Sequence, residues 1–477
     1  MIKFISNDRN ISPKMKEGGK ISLRDLLTPP IKDKEVIEWY KLIEIYFKIL
    51  SGESVEYPKF KYVTVNPKYI LKTKEQEEKI IHRLRLIKRY RLTDPIVITK
   101  IIKSAFDTPK YKLDSDELKF LKTLLGNPND KINKIAKKAK IPVSTAYRIY
   151  KKMKNVILLR RFGYPDLSRF RLKHFVVVFK FYEDKMNLLR RKMPLNPFLF
   201  TFNVDAINVY DGKAFGWASF RIPDSKKVLR EFNDWLVSFK TELGVFPDEE
   251  SWEVIEAKRF IFSANIDFYD GEKWVFDETL MSVGLLKFVE KFDIYINKPI
   301  INIEFNSKPI RFDKIDLILL ELLQKDYFYK LSSACNILEK EGYIRSEKNI
   351  SRRFERLRNY VKPGVVFAGL NLADSLNLFI STSDKGTRDL IHKFLLYLPI
   401  VYIVESNSDM IIYIQLPKGT AIKFLYQFNE LKNMVNEFLG IVVAYSHGAK
   451  IRVKLHEFWD EKKQRWIIPD GIMHGMY

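Results

Sequence analysis

A chain of 477 residues with a single cysteine, Cys335, forms no intrachain disulfide and builds no multi-cysteine zinc site. Cys335 lies in an apolar run and reads as a small core residue rather than a nucleophile. Such usage fits a reducing, intracellular setting, and a cytoplasmic location is expected. Histidine is scarce too. His82, His174, His392, His447, His456 and His474 are scattered, and none has a second ligand at metal-binding spacing. No GxxxxGK[ST] or GxGxxG loop is present, so nucleotide hydrolysis has no support. Neither a metal nor a cofactor is expected, and no enzymatic activity. No stretch reaches 18 uninterrupted apolar residues, which excludes a membrane-spanning helix from the reading. Residues 1–20 mix both charges, lack an apolar signal region and read as a loose tail.

Acidic residues are the minority charge: 59 Asp and Glu stand against 83 Lys and Arg, a net charge of +24. A surplus of that size attracts polyanions. It is also concentrated. Between Lys131 and Lys173 there are fourteen Lys or Arg and one acid, Asp166. The apolar share of 46% and charged share of 30% belong to a folded chain, and the length calls for two to four domains.

Periodicity divides the chain. Residues 21–110 read as a helical region, with apolar spacing over Glu35–Leu50 and a basic helix at Lys74–Arg91. Leu113-Asp114 opens a helix that Gly126-Asn127-Pro128-Asn129 stops. A short helix follows at Ile132–Lys138, and a third begins at Ser144, which is expected to cap it. Val156–Leu159 reads as a strand, followed by Arg160, Arg161 and a Gly-Tyr-Pro-Asp turn. Three helices and a hairpin predict a winged helix over 111–170. The next residues alternate as strand 174–182, helix 184–192, strands 202–210 and 215–222 around an Asp211-Gly212 turn, helix 224–243 and strand 252–268. That order, βαββαβ, predicts a ferredoxin-like domain over 171–279. After a connector at 280–310 the pattern restarts. A second winged helix is expected at 311–363, opened by Phe312-Asp313, and a second ferredoxin-like domain at 364–477. The fold class expected is therefore α+β: two winged helix-turn-helix domains, each followed by a βαββαβ domain, behind an N-terminal helical region.

The third helix of each unit carries the chemistry. Ala146, Ile149, Tyr150 and Met153 share one face of the first; Ile350, Phe354, Leu357 and Val361 share one face of the second. An offset of 204 residues superposes Ala146 on Ile350, and with it Arg148 on Arg352 and Lys152 on Arg356. A helix in the major groove reads base edges with its N-terminal half; Arg suits guanine, Asn suits adenine, and Ser or Thr near the helix start suits phosphate. The candidate DNA-binding residues are Ser144, Thr145, Tyr147, Arg148, Lys151 and Lys152, then Arg160 and Arg161 in the expected wing, and Asn349, Ser351, Arg352 and Arg356 in the second unit. Glu355 interrupts the second basic face.

Leu113-Asp114, Ile135-Ala136 and the run Pro142-Val143-Ser144-Thr145-Ala146-Tyr147-Arg148, followed by a ferredoxin-like domain, resemble the leucine-responsive regulator (Lrp/AsnC, feast/famine) family. The resemblance implies a third helix that reads double-stranded DNA through Ser144, Thr145, Tyr147, Arg148 and Lys152, a ferredoxin-like domain that pairs with another copy, and a small-molecule effector. This chain differs in holding two copies, in its N-terminal region, and in lacking a glycine-rich effector loop. Some proteins similar to that family decarboxylate a tetrapyrrole. The function expected is a sequence-specific transcription regulator with two winged helices in one chain. The alternatives are a plasmid or viral replication initiator and a DNA-organising protein. RNA binding lacks a clear aromatic motif.

Overall fold

The computed structural model describes residues 22–53, 55, 63, 74–103, 105–106, 112–182, 188–189, 192–207, 213–243, 252–276, 300–343, 346–367, 369–443, 448–450 and 454–467. The expected N-terminal tail, most of the 184–192 helix, the Asp211-Gly212 turn and most of the 280–310 connector lie outside the described residues. Residues 1–109 and 110–477 form two compact units.

In the first unit, α1 (Leu23–Leu26), α2 (Lys34–Leu50), α3 (Lys74–Arg89) and α4 (Pro95–Lys103) surround an apolar centre. The Asp33 carboxylate accepts from the amides of Glu35 and Val36, which fixes the start of α2. Trp39, Tyr40 and Tyr46 then meet Ile80, Leu84 and Ile87 of α3 and Ile98 and Ile102 of α4 in one core.

The second unit opens on a capping box. Asp114 accepts from the Glu117 amide and Glu117 accepts from the Asp114 amide, starting α5 (Ser115–Gly126). Next come α6 (Ile132–Ala139) and α7 (Val143–Val156), which buries Ala146, Ile149 and Met153 as the spacing predicts. Pro142, rather than Ser144, occupies the N-cap of α7, and no side chain caps it. The apolar run Val156–Leu159 is the helix end and a turn, with Leu158 at φ 50°, instead of a strand. Ile157 and Leu159 complete the winged-helix core there.

The strand comes later, as β1 (Arg160–Pro165), and it forms no hairpin with its own neighbours. It pairs antiparallel with β8 (Val361–Val366), the corresponding strand of the second half. Phe162 faces Gly364 and Gly163 faces Pro363, so the ladder is centred on a pseudo-two-fold axis between the halves. Both glycines are there for space. A Cβ on Gly163 would lie 2.5 Å from Val361 Cγ1 and 2.8 Å from the Leu323 carbonyl oxygen; one on Gly364 would lie 2.6 Å from the Phe162 ring.

Two larger antiparallel sheets follow. β2 (Leu172–Tyr182), β3 (Leu199–Ile207), β4 (Lys213–Pro223), α8 (Lys226–Leu243) and β5 (Trp252–Glu256) build the first, ordered β3-β4-β2-β5. The segment expected as one strand over 252–268 breaks after β5. Its remainder, β6 (Arg259–Ala264), joins the other half's sheet, followed at its edge by β7 (Ile301–Glu304).

The second half starts on the same capping box, Asp313 with Asp316, before α9 (Lys314–Lys325); α10 (Leu331–Lys340) and α11 (Glu347–Arg358) follow. The last helix ends at Arg358, and Val361 belongs to β8. Its sheet consists of β9 (Leu372–Ser381), β10 (Ile400–Glu405), β11 (Asp409–Pro417) and β12 (Glu437–Val443), with α12 (Lys385–Leu395) and α13 (Ala421–Phe428). The order is β12-β9-β11-β10-β6-β7. Further along, β13 (Gly448–Lys450) pairs with β3 of the first sheet. Each half therefore lends its last strand to the other. The two sheets pack together through Val176, Val178 and Ile255 against Phe379 and Ile411.

Reciprocity continues at the ends. Trp274 Nε1 donates to the Leu370 carbonyl at 2.6 Å, and Trp466 Nε1 donates to the Arg171 carbonyl at 3.1 Å. Leu370 and Arg171 both hold positive φ, 51° and 55°. Replacing either tryptophan with phenylalanine is expected to cost about 1–2 kcal/mol, since a carbonyl loses its only indole donor and a small void opens. Urea midpoints check this, and a variant as stable as the parent removes the clasp from the account.

Candidate nucleic-acid interface and central cavity

The outward face of α7 presents Ser144, Tyr147, Arg148 and Lys151 to solvent, with Tyr147 54% exposed and Thr145 half-buried. Because Pro142 carries no capping oxygen, no side chain meets the first-turn amides of α7, the groups that bind phosphate at helix starts. Thr145, Arg148 and Lys152 line the cleft between α7 and the start of α5, across from Asp114 and Asp116.

Lys152 is exposed but reaches a buried acid. Its Nζ lies 2.7 Å from Glu117 Oε1, whose side chain is only 2% exposed. Arg356 repeats the arrangement on Asp316, joined by Arg353 at 2.9 Å. A buried carboxylate in the first turn of α5 or α9 needs a counter-charge, and α7 or α11 supplies it. Burial and the neighbouring Asp313 carboxylate raise the Asp316 pKa against the pull of Arg356 and Arg353. Lys152 and Arg356, expected on DNA, thus hold their own domains together. Asn349 and Arg352 are exposed, Ser351 is half-buried, and Asn349 Oδ1 accepts from Arg353 Nε.

The two expected wing arginines diverge. Arg161 is buried, which corrects its assignment to the DNA surface. Its Nη2 donates to the Pro128 and Asp130 carbonyls, and its guanidinium lies 3.9 Å from the Phe328 ring centre. It ties the α5–α6 turn of one winged helix to the other, and burial pulls its pKa down to about 10. The side chains of β1 alternate, so one arginine must face in when its neighbour faces out. Arg160 faces out, on the rim of a cavity.

That cavity, of about 710 Å³, lies between the inner faces of the two sheets, with β1, β8 and α9 closing its sides. Its polar groups escaped the sequence reading. His174 and Arg221 face each other on β2 and β4, the register positions that Ser375 and Gln415 hold on β9 and β11. His174 Nδ1 lies 3.3 Å from the Tyr164 hydroxyl and Nε2 2.7 Å from Ser219 Oγ. Burial, with the Arg221 charge second, drives the His174 pKa down to about 3, so its imidazole is neutral. Arg221 is buried and pulled down to about 10 by that burial, yet stays protonated at neutral pH. Its guanidinium carbon sits 3.5 Å from the Phe200 ring centre, and Nη1 donates to Gln324. On the opposite wall, Gln415 Nε2 donates to the Tyr413 hydroxyl at 3.1 Å. A usable signal did exist: His174, Ser219 and Arg221 interrupt inward positions of otherwise apolar strands.

Among the described residues, no helix is long and apolar enough to cross a membrane, and no group of three acidic, histidine or cysteine side chains is placed to hold a metal ion. No family model matches the sequence, and no relative is found among curated proteins. Among solved structures, the chain is similar to the siroheme decarboxylase NirDL, with a TM-score of 0.43 at 10% identity over 71% of this chain and 94% of that one. It is also similar to PH0061, with a TM-score of 0.22 at 16% identity over 30% of this chain and 92% of that one. An AsnC family transcriptional regulator from Agrobacterium tumefaciens gives 0.23 at 15% identity over 30% and 90%. At these values none of the likenesses carries a function to this chain.

Proposed function

We propose that the chain is a sequence-specific regulator of transcription that binds double-stranded DNA through its two winged helices, with α7 as the main reader. The observation that carries this reading is the β1–β8 ladder, which holds two helix-turn-helix units of one chain about a pseudo-two-fold axis. Readers of DNA place two recognition helices on successive major grooves by two-fold pairing, and here one chain supplies both. The two sheets pack against each other within the chain, which supports a reading in which one monomer spans two half-sites about 10 bp apart, or a multiple.

The halves contribute unequally. Around α7 the basic residues Arg148 and Lys151 are exposed beside a helix start that no side chain caps. On α11, Arg353 and Arg356 are spent on Asp313 and Asp316, and Glu355 is exposed among the rest. An asymmetric site follows, with the half under α7 giving most of the affinity.

In the full chain, Arg148→Ala is expected to weaken binding to the best site by about 1–3 kcal/mol, as loss of a bidentate base contact does, and Arg352→Ala by less. Lys151→Gln should flatten the dependence of log affinity on log salt by about 0.9. Quantitative footprinting at matched salt measures all three. Unchanged affinity in Arg148→Ala removes α7 as the reader. Genome-wide mapping of bound DNA separates a regulator at promoters from a replication initiator at origin repeats and from a DNA-organising protein with little sequence preference.

A further inference from the structure

We infer that the cavity between the two sheets is a binding site for an anionic ligand with a flat, apolar body, whose acidic group meets Arg221. This inference stands apart from the DNA-binding reading. Arg221 is 2% exposed, and its Nε and Nη2 have no hydrogen-bond partner. Among the described residues no carboxylate is within ion-pair distance of it. Glu321, also on the cavity wall, has Oε1 3.4 Å from His456 Nδ1. The Glu321 carboxylate acts on Arg221 only through space, and a buried, protonated guanidinium with no ion-pair contact is costly; a protein keeps one where an anion arrives to complete it. The planar fork of arginine suits a carboxylate or a comparable oxyanion.

The remaining surroundings define the body of the ligand. Phe162, Tyr164, Phe200, Trp217, Phe260 and Tyr402 line the cavity, whose volume of about 710 Å³ is that of a small-molecule site. Trp217 Nε1 is a further buried donor without a partner. The donors left open therefore call for acceptor atoms, while the aromatic walls call for a flat ring system. His174, both of whose ring nitrogens are engaged by Tyr164 and Ser219, adds a neutral, fixed ring to the wall. Arg160 and Lys325, both exposed, line the same cavity and attract an anion towards it. The symmetry-related wall carries the neutral Gln415 where the first carries Arg221, so the ligand is oriented, acid towards the first sheet.

The test uses the full chain without DNA and two fluorescent probes, 1-anilinonaphthalene-8-sulfonate and its uncharged relative N-phenyl-1-naphthylamine. One sulfonate probe should bind per chain, and more tightly than the neutral one. Arg221→Gln should weaken the sulfonate about tenfold or more and leave the neutral probe unchanged, while Arg221→Lys keeps most of the affinity. Circular dichroism and melting verify that the variants fold. A second measurement needs no variant: 2-naphthoate should displace the bound sulfonate from the parent protein, and 2-naphthamide should not. Equal affinity of both probes, equal displacement by acid and amide, no binding to the parent, or unchanged sulfonate binding in a folded Arg221→Gln overturns the assignment.

Discussion

Between pH 6.5 and about 3 the parent chain is expected to lose about 5 kcal/mol more stability than a His174→Gln variant. The imidazole is fully buried against Tyr164, Ser219 and Arg221, and its folded pKa of about 3 lies below the ordinary 6.5. The unfolded chain takes up a proton as the pH falls through 6.5, whereas the folded chain refuses it until about 3. Stability is complete above the unfolded value and declines through that window by about 1.4 kcal/mol per pH unit. Glutamine offers a donor and an acceptor but no proton to gain. The remaining acid sensitivity, from carboxylates common to both proteins, cancels in the comparison. Urea unfolding of parent and variant at steps from pH 7 to pH 4 reads the difference. Two curves that stay parallel would sink the assignment of a neutral, desolvated imidazole.

Gly163→Ala is expected to destabilise the second unit by about 3 kcal/mol and Gly364→Ala by about 1–2 kcal/mol, the range of overpacked cores. The conformation of neither glycine requires it; the neighbours do. At Gly163 the new methyl meets the Leu323 carbonyl oxygen at 2.8 Å, and a backbone atom of α9 gives way only if the helix moves. At Gly364 it meets the rim of the Phe162 ring at 2.6 Å and Ile301 Cδ1 at 2.9 Å, both of them side-chain atoms able to turn aside. The two replacements act at one crossing, so the double variant should lose less than the sum. Denaturant midpoints with unchanged slopes would report this directly. A Gly163→Ala chain as stable as the parent would mean that the β1–β8 ladder is looser than its geometry states.

What was legible in the sequence was whatever depends on neighbours along the chain. The Asp114 and Asp313 helix starts and the buried faces of α7 and α11 follow from local spacing, and the structure has them. The succession of strands and helices after α7 and α11 is likewise largely where the alternation put it. Strand partners are another matter. Alternation tells which side of β1, β6 or β13 is buried but not which strand lies beside it, and all three cross to the other half. Charge was similarly blind to depth. Arg160 and Arg161 are adjacent and equally basic, yet one is exposed and the other lies under Phe328. Val156–Leu159 misled because a short apolar run serves a buried helix end as well as a strand.

The exchanged strands also bear on how the chain is made. As a ribosome releases it, β6 has only β7 for a partner until β10 follows, well over a hundred residues later, and the edge of β3 stays open until β13 emerges. At about 5–20 residues per second that interval lasts roughly ten seconds or more. The first half is thus a nascent species with two open strand edges, the kind that invites pairing between neighbouring chains on one messenger. Truncation after the first half would leave that species permanent, which makes the two halves one unit of folding.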